Sequence, residues 1–257
     1  MRALWFKAEF VWGFSARIAG YNKTSPSFLF PPPTTVLGAL LSSVAKRLRY
    51  SEREYSSLFK KVVQSVYSVS LKPVNLIPNP VTDMVRSIKL DEKEEVSQKF
   101  DVPAKGRIIY VSVDGNPPTI EFLILHSSDF ISGEDALKIN RIGSKESTVS
   151  VVDVFETEKV EKAEGFVKTD YSFPLAEGVE MSGDPSDCYA EYYARYWAYE
   201  GSIESILLNY YRGSKDAFVK YCIPKMGSNI YVSARGKFSA YRVNLKGMEE
   251  VVVGHSG

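Results

Sequence analysis

The spacing of apolar and polar positions changes several times along the chain, and each change marks an element. Residues 2–12, Arg-Ala-Leu-Trp-Phe-Lys-Ala-Glu-Phe-Val-Trp, are dense in aromatic and apolar residues, and the charges Lys7 and Glu9 share one parity, as on a strand. A polar loop from Gly13 to Pro26 leads into Phe28-Leu29-Phe30-Pro31-Pro32-Pro33-Thr34-Thr35. Prolines are excluded from a helix interior but lead stiffly into one, with Thr34 as the expected N-cap. Val36, Leu37, Leu40, Leu41, Val44 and Leu48 then recur with helical spacing, and Lys46, Arg47 and Arg49 end the helix where cations suit its dipole. Ser51-Glu52-Arg53-Glu54 reads as a capping box for a second helix with the stripe Tyr55, Leu58, Phe59, Val62 and Val63.

Residues 66–77 alternate as a strand, with Tyr67, Val69 and Leu71 on one side and Ser68 and Ser70 on the other. Residues 106–113 and 119–126 read as the clearest hairpin, joined by Asp114-Gly115-Asn116-Pro117-Pro118. The charged stretch 84–105, nearly free of aromatics, reads as a mobile insertion. A short helix is expected at 132–138, a strand at 147–155 and an acidic surface at 156–164. Ser186-Asp187 reads as the cap of a helix carrying Tyr189, Tyr192, Tyr193, Tyr196, Trp197 and Tyr199, a stripe read as core. Strand-like runs follow at 230–233, 241–245 and 251–253. The order β-α-β-β-α-β is the ferredoxin-like plan, which also underlies the RNA-recognition sheet. In that use Trp5 and Phe6 are the aromatics that would stack on bases; otherwise they are core.

Composition adds little until the charge is divided along the chain. The 257 residues balance 32 Lys and Arg against 31 Asp and Glu, a net charge of +1. Yet residues 1–90 hold 13 cations against 4 acids, and the remainder is correspondingly acidic. Such asymmetry suits either a polyanion-facing N-terminal part or a protein that packs against charged neighbours. No apolar run approaches the ~18 residues of a membrane span. Cys188 and Cys222 match no zinc spacing and read as two free thiols of a cytoplasmic protein.

Catalytic patterns are scarce. His126 ends an apolar strand and His255 lies near the C-terminus; no nucleophile elbow, zinc-hydrolase motif or P-loop is present. No metal, no cofactor and no catalytic residue is assigned, although His126 with Lys145 or a tyrosine stays open as an acid–base pair for RNA cleavage. Two segments suit phosphate. Thr34 and Thr35 stand at a helix start. Arg141-Ile142-Gly143-Ser144-Lys145-Glu146-Ser147 combines two cations, a glycine and hydroxyls in one loop.

The strand end Trp12-Gly13-Phe14 followed by Pro31-Pro32-Pro33-Thr34-Thr35-Val36-Leu37-Gly38-Ala39-Leu40-Leu41 resembles the Cas-five family of CRISPR-associated RAMP proteins. The loop 141–147 running into Val149-Ser150-Val151 looks like its archaeal subtype I-A branch. The resemblance covers about residues 1–155. It implies an α+β fold: a ferredoxin-like (RRM-like) core over 1–155 with a thumb-like insertion at 84–105, and a C-terminal elaboration over 156–257 of the same single domain. It also implies a non-catalytic, cytoplasmic subunit of the Cascade complex in antiviral defence. Such a subunit holds the 5′ repeat-derived handle of CRISPR RNA, caps the filament of backbone RAMP subunits and touches the large subunit, with no membrane partner. Arg17, Lys23, Thr34, Thr35, Arg86, Lys89, Arg107, Arg141, Ser144 and Lys145 are the RNA-binding candidates on this reading. Two alternatives stand beside it: a metal-independent endoribonuclease for CRISPR repeat RNA, as in subtype I-C, and an assembly scaffold whose divided charge serves protein neighbours.

Overall fold

The computed structural model describes residues 1–18, 24–84, 87–88, 100–101, 104–198 and 217–255. Strand β1 (Arg2–Phe10) leads, through the proline run, to α1 (Pro33–Leu48) and α2 (Glu52–Val63), and then to β2 (Val66–Pro73). β3 (Leu76–Met84) and β4 (Ala104–Ser112) follow, then β5 (Thr119–His126), α3 (Gly133–Leu137) and β6 (Val149–Thr157). The first sheet has the order β6–β1–β5–β2, with every neighbour antiparallel. The architecture is α+β and mostly strand.

β1 is pressed between two layers because its two parities are both apolar. Leu4, Phe6, Ala8 and Phe10 pack with Leu37, Leu40, Val44 and Leu58 of the helices. Ala3 and Trp5 pack the other way, with Tyr171, Tyr241, Val243 and Val252. That second layer is a sheet of β7 (Val160–Ala163), β10 (Phe238–Leu245) and β11 (Met248–His255), ordered β7–β10–β11. Phe6 is fully buried, and the Trp5 indole donates to the Tyr171 hydroxyl at 3.1 Å. Neither aromatic is therefore available to stack on a base. The same cover explains why Ser68 and Ser70 are buried rather than solvated: their hydroxyls bond to each other, and Ser68 donates to the Val253 carbonyl.

Several sequence expectations change. The expected 66–77 strand breaks at Val74–Asn75. The runs 104–112 and 119–126 do not form a hairpin: β4 pairs with β3 along all nine residues, whereas β5 lies between β1 and β2. The Asn75 side chain separates them, donating to Asp114 and to the Pro117 carbonyl while accepting from the Thr119 N–H. Of the proposed thumb at 84–105, most lies outside the described residues; its flanks are the paired strands β3 and β4. α1 starts at Pro33 with Pro32 as N-cap, so Thr34 sits inside the first turn. α2 begins as expected, the Glu54 carboxylate accepting from the Ser51 N–H and hydroxyl. His255 ends β11 with its ring edge-on to Phe238.

The tyrosine-rich segment is a strand, not a helix. β8 (Cys188–Ala194) pairs with β9 (Phe218–Pro224). Tyr193 is buried toward the helices, the position of Tyr189 is part-buried against the same core, and Tyr192 is exposed. The two cysteines are not free: Cys188 and Cys222 form a disulfide between these strands, closing a separation of 34 residues. The free-thiol argument for a reducing compartment falls with it. Reduction, or Cys188→Ser, is expected to lower the unfolding free energy by about 3–4 kcal/mol for a loop of this length, as read by urea denaturation with and without dithiothreitol.

One ion cluster fastens the two layers. Lys72 of β2 lies 2.8 Å from Glu250 of β11, 3.8 Å from Glu121 of β5 and 3.9 Å from Asp170. Its ammonium also sits over the Tyr171 ring. Removing the cation leaves three carboxylates facing one another in a half-buried place. Lys72→Met is expected to cost about 2–3 kcal/mol of stability, and lowering the pH toward the carboxylate range should recover part of it.

Candidate nucleic-acid interface

The sequence reading placed a phosphate seat at the start of α1, and the backbone gives it little support. Pro32 and Pro33 carry no N–H, and Thr35 and Val36 both donate to the Pro32 carbonyl. What α1 offers instead is its flank. Thr35, Gly38, Ala39, Ser42 and Lys46 recur at three- and four-residue spacing, forming one stripe beside the buried one. This stripe is one wall of a groove of about 260 Å³; the segment Lys138–Arg141 with Gly143 is the other.

Both walls are held in place by groups already committed to partners within the fold. Arg47, next to Lys46, makes two 2.8 Å bonds to the fully buried Asp135 of α3 and a third to the Phe130 carbonyl. The Asp135 carboxylate raises the Arg47 pKa; burial pushes the Asp135 pKa up, but the bonds from Arg47 and Ser132 hold it below its ordinary range. Ile139 and Ile142 are buried and anchor the second wall. At the entrance to α1, Glu191 of β8 accepts from the N–H groups of Leu29 and Phe30, and Tyr193 donates to it at 2.6 Å. Burial raises the Glu191 pKa in spite of these three donors.

The charged lining of the groove is cationic: Lys46, Lys138 and Arg141. Lys138 has a 3.8 Å exposed contact with Glu134, while Lys46 and Arg141 carry no ion pair among the described residues. Thr35, Ser42, Ser43 and Asn140 add hydrogen-bonding groups, and no aromatic residue lines the groove. Cations and hydroxyls without a stacking ring suit a sugar–phosphate backbone rather than base faces.

The structure sorts the candidates from the sequence. Thr35 and Arg141, read separately, meet across this groove. Thr34 lies one residue outside its lining. Lys145 is exposed in the adjoining loop, with no ion pair among the described residues. Ser144 is spent within that loop: its hydroxyl donates to Glu146, and its N–H donates to the Ser15 carbonyl. Arg107 is committed to Asp83 at 3.1 Å and stacks over Trp12. Arg17 does not line the groove and pairs through its backbone with Ser27. Lys23, Arg86 and Lys89 lie outside the described residues. Gly143, at φ +109°, holds the loop against Phe14, where a Cβ would meet the ring at 2.7 Å. Lys46 and Lys138 were missed, although the small-residue stripe ending on Lys46 was visible in the sequence.

His126 and Lys145 do not form a pair. His126 faces Arg2 at one end of β1, whereas Val149, just after the loop, faces Phe10 at the other. Eight strand steps separate them, about 26 Å at ~3.3 Å per residue. His126 is buried with Nδ1 at 3.1 Å from the Ser128 carbonyl, and burial, then the nearby Arg2, lowers its pKa to about 4. Because the folded value lies below the unfolded one, this histidine opposes folding as pH falls from about 6.5 to about 4. His126→Gln is expected to flatten that acid limb, removing on the order of 3 kcal/mol of pH dependence, measured as unfolding free energy from pH 7 to pH 4.

Among the described residues, no helix is long and apolar enough to cross a membrane. No family model matches the chain. A crystal structure of a CRISPR protein from Archaeoglobus fulgidus superposes over the full length of both chains, with a TM-score of 0.74 and 32% identity. The fold and the groove thus stand in a CRISPR-associated protein. The CRISPR system aCascade subunit Cas5 1 of Saccharolobus solfataricus is 27% identical over 83% of each chain. The CRISPR-associated protein Cas5 2 of the same organism is 26% identical over 63% of this chain and 64% of its own. The chain belongs to the Cas5 family of CRISPR-associated proteins.

Proposed function

We propose that this chain is a non-catalytic CRISPR RNA-binding subunit of a type I Cascade complex, acting in the cytoplasm in antiviral defence. It holds the 5′ repeat-derived handle, caps the filament of backbone RAMP subunits and meets the large subunit. The observation that carries the reading is the groove in which Thr35, Ser42, Lys46, Lys138 and Arg141 converge, with no acid on its walls. The family membership and a relative whose name includes a Cascade subunit point the same way. On this reading the sheet order β6–β1–β5–β2 is a ferredoxin-like core whose second and third strands, β2 and β5, are separated in sequence by the β3–β4 arm. RNA runs along the helical shoulder of that core, because the helices cover one sheet face and the β7–β10–β11 sheet covers much of the other. The separation of His126 from Lys145 supports a binding role over the endoribonuclease alternative.

Gly38 supplies a sharp test. A Cβ there meets nothing within 4 Å, so a larger side chain enters the groove without disturbing the packing. Gly38→Glu is expected to fold normally and to bind repeat-handle RNA at least tenfold more weakly. Replacing Lys46, Lys138 and Arg141 together by Ala should reduce the slope of log affinity against log salt by about 2; Arg141→Ala with Lys145→Ala should reduce it less. An unchanged salt titration in the triple variant would refute the groove as the RNA track. Specific cleavage of repeat RNA in EDTA, lost in His126→Ala, would instead establish the nuclease.

A further inference from the structure

The outer face of the β3–β4 arm is apolar where a lone sheet would be polar. Ile108 and Tyr110 of β4 point inward, while Ile109 and Val111 point out, exposed by 41% and 48%. The register sets Ile77, 48% exposed, opposite Val111, and Asn79 opposite Ile109. Val113 continues the row just past β4, and Val11 lies two residues before Gly13, which pairs with Ile109. Five exposed aliphatic side chains thus share one neighbourhood, and clustered exposed apolar residues mark interaction sites.

The free edge of this arm is closed to strand addition. β3 carries Pro78 and Pro80, which have no N–H to offer an incoming strand. An occupant must therefore lie on the face. Beside Val11 the face falls into a hollow of about 470 Å³ between Phe10, Ser150 and the turn Gly115–Pro118. Glu9 is its one charged lining residue and has no ion pair among the described residues. A second copy of the chain fits poorly: in a two-fold pair the same patch meets itself, and the residues named here include no cation to face Glu9.

We propose that the β3–β4 face with the Glu9 hollow is the seat of a different protein subunit, one that presents an aliphatic surface and inserts a lysine or arginine toward Glu9. The inference rests on the reading of the chain as a subunit of a multi-protein complex, and it assigns protein contact to a surface sharing no residue with the RNA groove.

The test uses the tagged full-length chain purified from its own cells with whatever it carries, its protein complement read by native mass spectrometry and its RNA by sequencing. Wild type is compared with Val111→Lys combined with Ile77→Lys, with Glu9→Lys, and with the groove variant Lys46→Ala, Arg141→Ala. A photo-crosslinking residue at position 113 identifies the neighbour. The expected result is that the face variants shed one protein subunit while keeping RNA. That subunit is the one that crosslinks to position 113 through an aliphatic segment, and changing the cation of that segment to Glu restores binding to Glu9→Lys. Face variants that keep every subunit, while the groove variant loses RNA, would overturn the inference and leave the RNA reading standing. Face variants that shed the subunit, while the groove variant keeps its RNA, would do the reverse. A dimer of the pure chain by light scattering that Val111→Lys dissolves would assign the face to a second copy instead and overturn the proposal.

Discussion

Everything in this molecule is arranged around a first strand buried on both faces. β1 has apolar residues on both parities, so it requires a layer above and a layer below. The helices supply one, and the β7–β10–β11 sheet supplies the other, with Lys72 and its three carboxylates fastening the seam. A sheet so enclosed is left open only along β6 and at the Glu9 end of β1. Function is displaced to the flanks: the shoulder of α1, the loop 138–147 and the β3–β4 arm.

The two flanks differ in chemistry as well as place. The α1 shoulder exposes small residues and cations, and its geometry is set by groups that are themselves occupied. Arg47 and Asp135 hold α1 to α3, and Glu191 with Tyr193 holds the chain that enters α1. Of the three cations that face the groove, Lys46 and Arg141 are free of ion pairs among the described residues. The division between acidic and basic parts of the sequence therefore matters less than the division between cations already paired and cations still available. Arg107, basic and well placed in sequence, is spent on Asp83.

Local periodicity made the helices, β1, β6 and the C-terminal strands legible, since each buries a stripe or a parity that neighbouring residues define. Long-range pairing was not legible. Residues 104–112 and 119–126 are both good strands joined by a good turn, yet the side chain of Asn75, far away in sequence, intervenes at the turn and each strand joins a different sheet. The segment 188–194 misled for another reason: Tyr189 and Tyr193 fit a helical repeat and an alternating one equally well, and only pairing with β9 decides between them. At the groove, Thr35 and Arg141 were readable one by one because loops and helix starts have local signatures. Their meeting was not, because it depends on a salt bridge between residues 47 and 135.

The position of β1 in the sheet also has a consequence for how the chain is made. This strand is synthesised well before its partners, residues 119–126 and 149–157. At translation rates of about 5–20 residues per second, the first strand waits on the order of ten seconds for both neighbours. The strands that cover its second face, within residues 238–255, arrive later still. During that interval a row of large apolar side chains on β1 has no strand partner. Productive folding is therefore a matter of keeping β1 out of premature associations until residues 149–157 and 238–255 have followed it.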